Sequence, residues 1–320
     1  MWNERKPGGT DGEPEVSVII PVYNRPELVT EAVRSVLFQS HGKLECILVD
    51  DGSEAPPAEA LEIFGADPRF RYLRIDHSGM PGAVRNRGVE EACYDIIAFL
   101  DSDDLWLPQK LEKQLELMTA REDGPPGLFH TREIWLRDSK IISQKTQRHR
   151  RRGDVFADAL EKCMIGPSTV LMQREVFEEL GGFREDLEIA EDYELWLRLT
   201  AAYPVEYVEE PLVVKRAGHG AQLSEKYGQI EIFRIRALQR LVEEDFFRGS
   251  GGIGSFPRLG ESPPPGGYFP PDHRHKAAAA ELARKCEIYA AGCRARGRTG
   301  EAAEYEALAL KYGGGRTAEF

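Results

Sequence analysis

The chain of 320 residues is long enough for about two domains at ~150 residues each, and its 41% hydrophobic content can fill a substantial core, which excludes a wholly disordered chain. Its 42 Lys and Arg stand against 54 Asp and Glu, a formal net charge of −12. No nucleic acid is expected as a partner, because neutralising phosphates needs a surplus of Lys and Arg, whereas a local site can still hold one nucleotide.

Residues 1–14 read as a polar tail. From Val16 to Leu100 short apolar runs alternate with helical periodicity. Val16–Val22 reads as a buried strand, continuous and β-branched, bounded by Asn24 and Pro26. Leu28, Val29, Ala32, Val33, Val36 and Leu37 then recur at helical spacing and give one apolar face. Strands are predicted at 44–49, 70–73 and 96–100, with helices at 57–64 and 83–92 between them. Strand–helix repetition with continuously apolar strands predicts an α/β fold, a mostly parallel Rossmann-like sheet flanked by helices.

Beyond residue 105 the alternation stops. A helix is predicted at 108–118, a half-exposed strand at 128–136, helices near 154–163 and 191–202, and strands at 168–172, 205–208 and 212–215. A long amphipathic helix is expected over 224–247. The basic run Lys145–Arg152 breaks the pattern, and within it His149-Arg-Arg-Arg152 reads first as a solvated loop, and secondly as a contact for a diphosphate or an anionic lipid-linked acceptor. Residues 249–275 are a Gly/Pro-rich linker, and 276–320 a C-terminal helical hairpin turning around Gly297–Gly300. No second copy of that hairpin occurs at a repeat period, so it reads as a docking appendage or the contact of a homo-oligomer. The organisation is therefore a main domain over 15–248, a spacer and a hairpin.

Five cysteines, an odd number without Cys-x-x-Cys spacing, point to buried free thiols in a reducing compartment. No apolar run approaches the ~18 residues that cross a bilayer, and the first residues carry no apolar signal core. The expected location is cytoplasmic, or peripheral at the inner face of the membrane.

Three acidic clusters carry the chemistry. Asp50-Asp51-Gly52-Ser53 follows the second strand and Asp101-Ser102-Asp103-Asp104 the fourth. In an open parallel sheet, ligands bind outside the carboxyl ends of the strands. Asp101 and Asp103, two apart in extended chain, point to one side, and crowded carboxylates are relieved by a hard divalent cation. Asp50 and Asp104, taken singly, read as turn or cap residues. Glu191-Asp192 opens a helix on which Asp192 shares a face with Leu195, Trp196 and Leu199. That face should turn inward, which suits Asp192 to general-base work, while Glu191, aligned with Glu194 and Arg198, should turn toward solvent. The sequence has no Gly-x-Gly-x-x-Gly after its first strand, no Walker-type Gly-Lys-Ser/Thr and no His-Glu-x-x-His.

Taken together, Val16-Ser-Val-Ile-Ile-Pro-Val-Tyr-Asn24, Ile47-Leu-Val-Asp-Asp-Gly-Ser53, Gly82-Ala-Val-Arg-Asn-Arg-Gly88 and Phe99-Leu-Asp-Ser-Asp-Asp104 closely resemble the fingerprint of glycosyltransferase family 2. Gly166-Pro-Ser-Thr169, Gly181-Gly-Phe183 and Glu191-Asp192 resemble its acceptor-side half, so the resemblance covers roughly residues 15–217. It implies a GT-A fold and inverting transfer from a nucleoside diphosphate sugar, of UDP or dTDP type, to a glycan or lipid-linked acceptor, with Mn²⁺ or Mg²⁺. By position, the resemblance places Pro21, Tyr23 and Asn24 in the nucleotide pocket, Asp51 at the base with Asp50 beside it, and Arg85 and Asn86 near the donor. Asp101 and Asp103 match the family's Asp-x-Asp, with Asp103 and then Asp104 as metal ligands, and Asp192 matches the base. His219 lies where some relatives place a donor-site or metal-binding histidine, and reads equally as a surface residue. Two other readings stay open, a sugar-phosphate nucleotidyltransferase and a non-catalytic scaffold. The first lacks its Gly-rich loop, since Pro21–Pro26 stands there instead.

Overall fold

The computed structural model describes residues 12–120, 126–137, 140–142, 151–218, 230–248 and 271–313. Strand β1 (Val16–Val22) leads into helix α1 (Pro26–Leu37), β2 (Leu44–Asp50), α2 (Ala58–Phe64), β3 (Phe70–Arg74), α3 (Pro81–Glu90) and β4 (Ile96–Phe99). Pro26 and Pro81 sit at the first turns of α1 and α3, where a missing N–H costs nothing. β1 and β2 are buried along nearly their whole length, as strands covered on both faces must be.

Every pairing within the order β3-β2-β1-β4 is parallel. All four strands therefore deliver their carboxyl ends, and the acidic clusters that follow β2 and β4, to one edge. The α/β expectation holds here. Past β4 the directions mix. The chain adds β5 (Leu105–Trp106), α4 (Lys110–Thr119), β6 (Leu128–Arg137), β7 (Lys140–Ile142), α5 (Phe156–Glu161), β8 (Leu171–Gln173), α6 (Arg174–Glu179), α7 (Glu191–Ala202) and β9 (Val205–Ala217). The sheet continues from β4 through β8, β6, β9 and β5, with β7 paired to β6. The two strands expected at 205–208 and 212–215 are one strand, β9, whose register against β6 shifts where Pro211 faces Arg132. Proline has no N–H for the ladder, and a bulge absorbs it.

The period of two divides the apolar residues between the faces. Val16, Val18, Ile20 and Val22 join α1 and α4 residues in one core, while Ile19, Ile47 and Val49 meet α3, α6 and α7 in the other. Helix α3 lies so close to β1 that a Cβ on Gly88 would stand 2.4 Å from Ile19 Cγ2, which requires glycine. The expectation of buried thiols is corrected at Cys93, which is exposed in the turn between α3 and β4.

A third core joins α5 and α7 to α8 (Glu231–Glu243) and to α9 (Pro271–Ala295) and α10 (Thr299–Gly313), the C-terminal hairpin. Its members include Tyr193, Leu197, Leu238, Leu282 and Tyr305. The inner face of the hairpin is thus spent on α7 and α8. Lys285 fastens it, donating to Glu161 O at 3.0 Å and Glu231 at 2.6 Å. Helix α9 starts at Pro271, within the stretch read as linker, and α8 is shorter than the helix expected over 224–247. The remainder of the linker, residues 224–229 and His219 lie outside the described residues.

Candidate active site

The ends of β1, β2 and β4 form the floor of the site. Asp101, Asp103 and Asp104 bring one carboxylate oxygen each to within 4.8 Å of one another. Asp103 accepts from Arg25 at 2.5 Å and, through its carbonyl, from Arg216 Nε at 2.5 Å. Asp104 is buried; it accepts from Ser168 Oγ at 2.6 Å and faces Lys215 Nζ at 3.3 Å. Ser168 Oγ also accepts the Asp101 N–H at 3.1 Å, so one hydroxyl sets the spacing of two of the three carboxylates.

Burial pushes Asp104 up to about 7, helped by the neighbouring charges of Asp101 and Asp103 and opposed by Lys215 and Ser168. Asp101 goes the other way: burial would raise it, but Arg85 and Lys215 hold it below the usual carboxylate range. Three hard oxygen donors within reach of one another, one of them raised chiefly by burial, form a set that suits a divalent cation.

Arg85 links this cluster to helix α7. Its guanidinium donates to Asp101 at 2.7 Å and to Glu191 at 2.6 Å, and lies 5.4 Å from the Phe183 ring. Glu191 is 6% exposed, contrary to the solvent-facing placement that helical periodicity predicts. Burial pushes it up to about 7, against the pull of Arg85 and with the push of Asp192. The rest of that predicted outer face is also covered. Arg198 pairs with Glu194 at 2.6 Å and donates to the carbonyls of Leu180 and Gly182. Asp192 is partly buried, with Cys163 Sγ 3.6 Å from its Oδ2. Ala190, just before the helix, has φ +66°, a left-handed conformation that costs a non-glycine residue about 1–3 kcal/mol and marks the entry to Glu191-Asp192 as a constrained turn.

Asn86 clasps the 182–185 loop. It donates to Phe183 O at 2.8 Å and Glu185 Oε1 at 3.0 Å, and accepts from Phe183 N at 3.0 Å. Gly182, at φ +66°, favours glycine, and a Cβ there would stand 2.9 Å from Asn86 Oδ1 and displace the clasp.

At the other end of the floor, Tyr23 is 43% exposed and stacks on His77 with ring centroids 4.2 Å apart. Pro21 pairs with Val49 in the ladder, and Asn24, at φ +49°, accepts from Glu54 N and donates from its own N–H to Ser53 Oγ. Asp51 holds the 77–79 loop, accepting from Ser78 N at 2.7 Å and Gly79 N at 2.9 Å. Asp50 is fully buried beneath, accepting from Ser53 N at 2.9 Å and Tyr72 OH at 2.6 Å.

The site thus brings together Asp101, Asp103, Asp104, Arg85 and the Glu191-Asp192 step, and adds Arg25, His77, Ser168, Lys215 and Arg216, which the motifs did not single out. Ser168 lay inside a recognised motif; the others carry no spacing that could have marked them.

Comparison with known proteins places this arrangement. The family model for glycosyl transferase family 2 matches residues 17–181. An uncharacterized glycosyltransferase of Rickettsia felis is 34% identical over 206 residues, 64% of this chain but 33% of that protein, so the chain spans about a third of that relative's length. The UDP-Glc:alpha-D-GlcNAc-diphosphoundecaprenol beta-1,3-glucosyltransferase WfgD of Escherichia coli is 29% identical over 185 residues, 58% of this chain and 69% of that one. Among solved structures, S. aureus TarS 1–349 in complex with UDP-GlcNAc superposes with a TM-score of 0.59 at 15% identity, covering 96% of this chain and 93% of that chain, a likeness of fold. The architecture is GT-A. With its family model matched over more than half its length, and with the matched motifs gathered at one sheet edge, the chain belongs to glycosyltransferase family 2.

Proposed function

We propose that the protein transfers a sugar from a nucleoside diphosphate sugar, of UDP or dTDP type, to a hydroxyl of a glycan or lipid-linked acceptor, with inversion at the anomeric carbon. The observation that carries this reading is the Arg85 bridge, which ties the Asp101–Asp104 cluster to the helix that begins Glu191-Asp192. The donor named for WfgD and the ligand of TarS support the nucleotide class.

The exposed Tyr23 ring offers a stacking face for the base, and Asp51 is the nearby carboxylate that a base edge can meet. Asp50 acts indirectly, by holding the turn above it. Asp103 and Asp104 are the residues that would hold Mn²⁺ or Mg²⁺, which when bound supplies charge neutralisation for the leaving diphosphate. Lys215 and Arg25 add protein cations on the same side. Asp192 accepts the proton of the acceptor hydroxyl, whose oxygen bonds to the anomeric carbon as the bond to diphosphate breaks and the diphosphate keeps the electron pair. Glu191 positions: bound to Arg85, it fixes the first turn of α7 and so the aim of Asp192. His219 is a candidate third ligand outside the described residues.

The test is Asp192→Asn. Transfer from UDP-glucose or UDP-GlcNAc to a diphosphate-lipid-linked sugar should stop, while UDP with Mn²⁺ should still raise the melting temperature, because donor binding stabilises the native state. Turnover near that of the unsubstituted protein would remove Asp192 from the base role.

A further inference from the structure

Helix α4 buries a lysine where an apolar side chain would pack at less cost. Lys110 and Gln114, one turn apart, are both 0% exposed, beside Leu111 and Leu115 of the core. Lys110 Nζ donates to Gln114 Oε1 at 2.7 Å and to Val170 O at 3.4 Å, and stands 3.9 Å from the centre of the Trp106 ring. Burial alone pushes its amine well below the usual lysine range. A methionine would fill that space without the desolvation, but it could not donate a hydrogen bond.

Three donors converge on one segment. Gln114 Nε2 donates to Thr169 O at 2.9 Å, and also to Phe129 O at 3.0 Å, while Trp106 Nε1 donates to Ser168 O at 2.7 Å. With Lys110 on Val170 O, the carbonyls of Ser168, Thr169 and Val170, three in a row, are each held from α4 or β5. Lys110 also takes the Gln114 carbonyl oxygen, which turns the amide N–H groups toward Thr169 and Phe129. The Ser168 side chain then carries the position onward: its Oγ donates to Asp104 at 2.6 Å and accepts the Asp101 N–H at 3.1 Å. A hydroxyl can space two carboxylates only as firmly as its own backbone is held.

We propose that Lys110 and Gln114 are positioning residues of the acidic cluster, which they hold at its spacing through the 168–170 backbone and the Ser168 hydroxyl. That the carboxylates so held bind a metal rests on the function proposed above; the positioning does not.

Lys110→Met and Gln114→Met, both apolar and of similar length to the residue replaced, carry the test, and either one that folds decides it. In the full chain without ligand, hydrogen exchange of the 100–106 segment, read by mass spectrometry, should quicken by ~10-fold or more while β1 and β2 stay within about 2-fold. Affinity for Mn²⁺, titrated as MnCl2 in a calorimeter, should fall by ~10-fold, as it does when partners behind a metal's ligands are removed. Both effects should vanish in a Ser168→Ala background, because the relay passes through that hydroxyl, whereas a purely structural contribution would persist there and add. The proposal is overturned by unchanged exchange at 100–106, by exchange that quickens equally in β1 and β2, by Mn²⁺ affinity that the variants leave unmoved, or by losses that add to that of Ser168→Ala. The exchange is read without metal, so an unsubstituted protein that binds no Mn²⁺ refutes the metal site, and exchange alone then decides the positioning.

Discussion

Replacing Arg85 by methionine removes one cation from between two carboxylates, and the cost can be worked from the surroundings. Asp101 keeps Lys215 at 3.8 Å, so the carboxylate left uncompensated is Glu191, whose side chain is 8% exposed. Removing one partner of a buried ion pair costs about 3–5 kcal/mol, and with one of the two carboxylates still paired the lower end, about 3 kcal/mol, applies when Glu191 is charged. Glu191 already stands at about 7, and Arg85 is the group holding it down, so the variant moves it higher. An acid raised above its unfolded value binds its proton more readily in the folded state; its contribution to stability is present at low pH and lost as the pH rises through the folded value. Below the folded value Glu191 is neutral and only hydrogen bonds are missing, and above about 7 linkage adds at most about 1.4 kcal/mol per pH unit, because the variant can take up the proton instead. The loss in Arg85→Met should therefore be about 1 kcal/mol near pH 5 and about 2 kcal/mol near pH 8, approaching the charged-state cost only at higher pH. Urea unfolding followed by tryptophan fluorescence measures both. The double variant Arg85→Met/Glu191→Gln should be more stable than Arg85→Met near pH 8. A penalty independent of pH, or a double variant no more stable than the single, refutes the assignment of Glu191 as a buried charge held by Arg85.

Asn86→Ala should lower stability by about 1–3 kcal/mol, because the Phe183 N–H and C=O both lose their side-chain partner in a half-buried loop. Its affinity for UDP with Mn²⁺, measured by titration calorimetry, should stay within about 2-fold if Asn86 works by clasping the loop; a large loss would show direct contact with the donor. Ser168→Ala takes away one of the groups that hold Asp104 down and leaves the Asp101 N–H without its partner. Because a carboxylate must lose its proton to bind a metal, Mn²⁺ binding by calorimetry should shift to higher pH in this variant, and an unmoved profile would contradict the role given to Ser168.

The elements of the first hundred residues were legible because β1, β2 and β4 are closed local signals, apolar runs rich in Val and Ile and followed by Asn or Asp, and α1 shows one apolar stripe. The same locality exposed the acidic clusters: a parallel sheet sends the residue after every strand to one edge, so Asp51 and Asp101 share a neighbourhood by topology alone. Helix α7 marks where periodicity ran out. Its Glu191, Glu194 and Arg198 read as an outer face, yet the partners that cover them, Arg85, Arg184 and the carbonyls of Leu180 and Gly182, come from other elements and leave no trace in the spacing of the helix itself. A helix walled on one side by the sheet core and on the other by the C-terminal hairpin has no solvent face to read.

The sequence by itself determined the kind of chemistry: which residue types follow which strands, at spacings that match a known family, is a one-dimensional property. Tertiary structure decided which of those residues touch. Asp50 and Asn86 sit in the same motifs as Asp51 and Arg85, but packing turns Asp50 under the floor and Asn86 onto the 182–185 loop, while Arg85 spans from β4 to α7. The cations Arg25, Lys215 and Arg216 reach the acidic cluster from residues 78 to 114 positions away. Contacts that distant depend on how the sheet curls and on where β9 returns, and no local pattern encodes either.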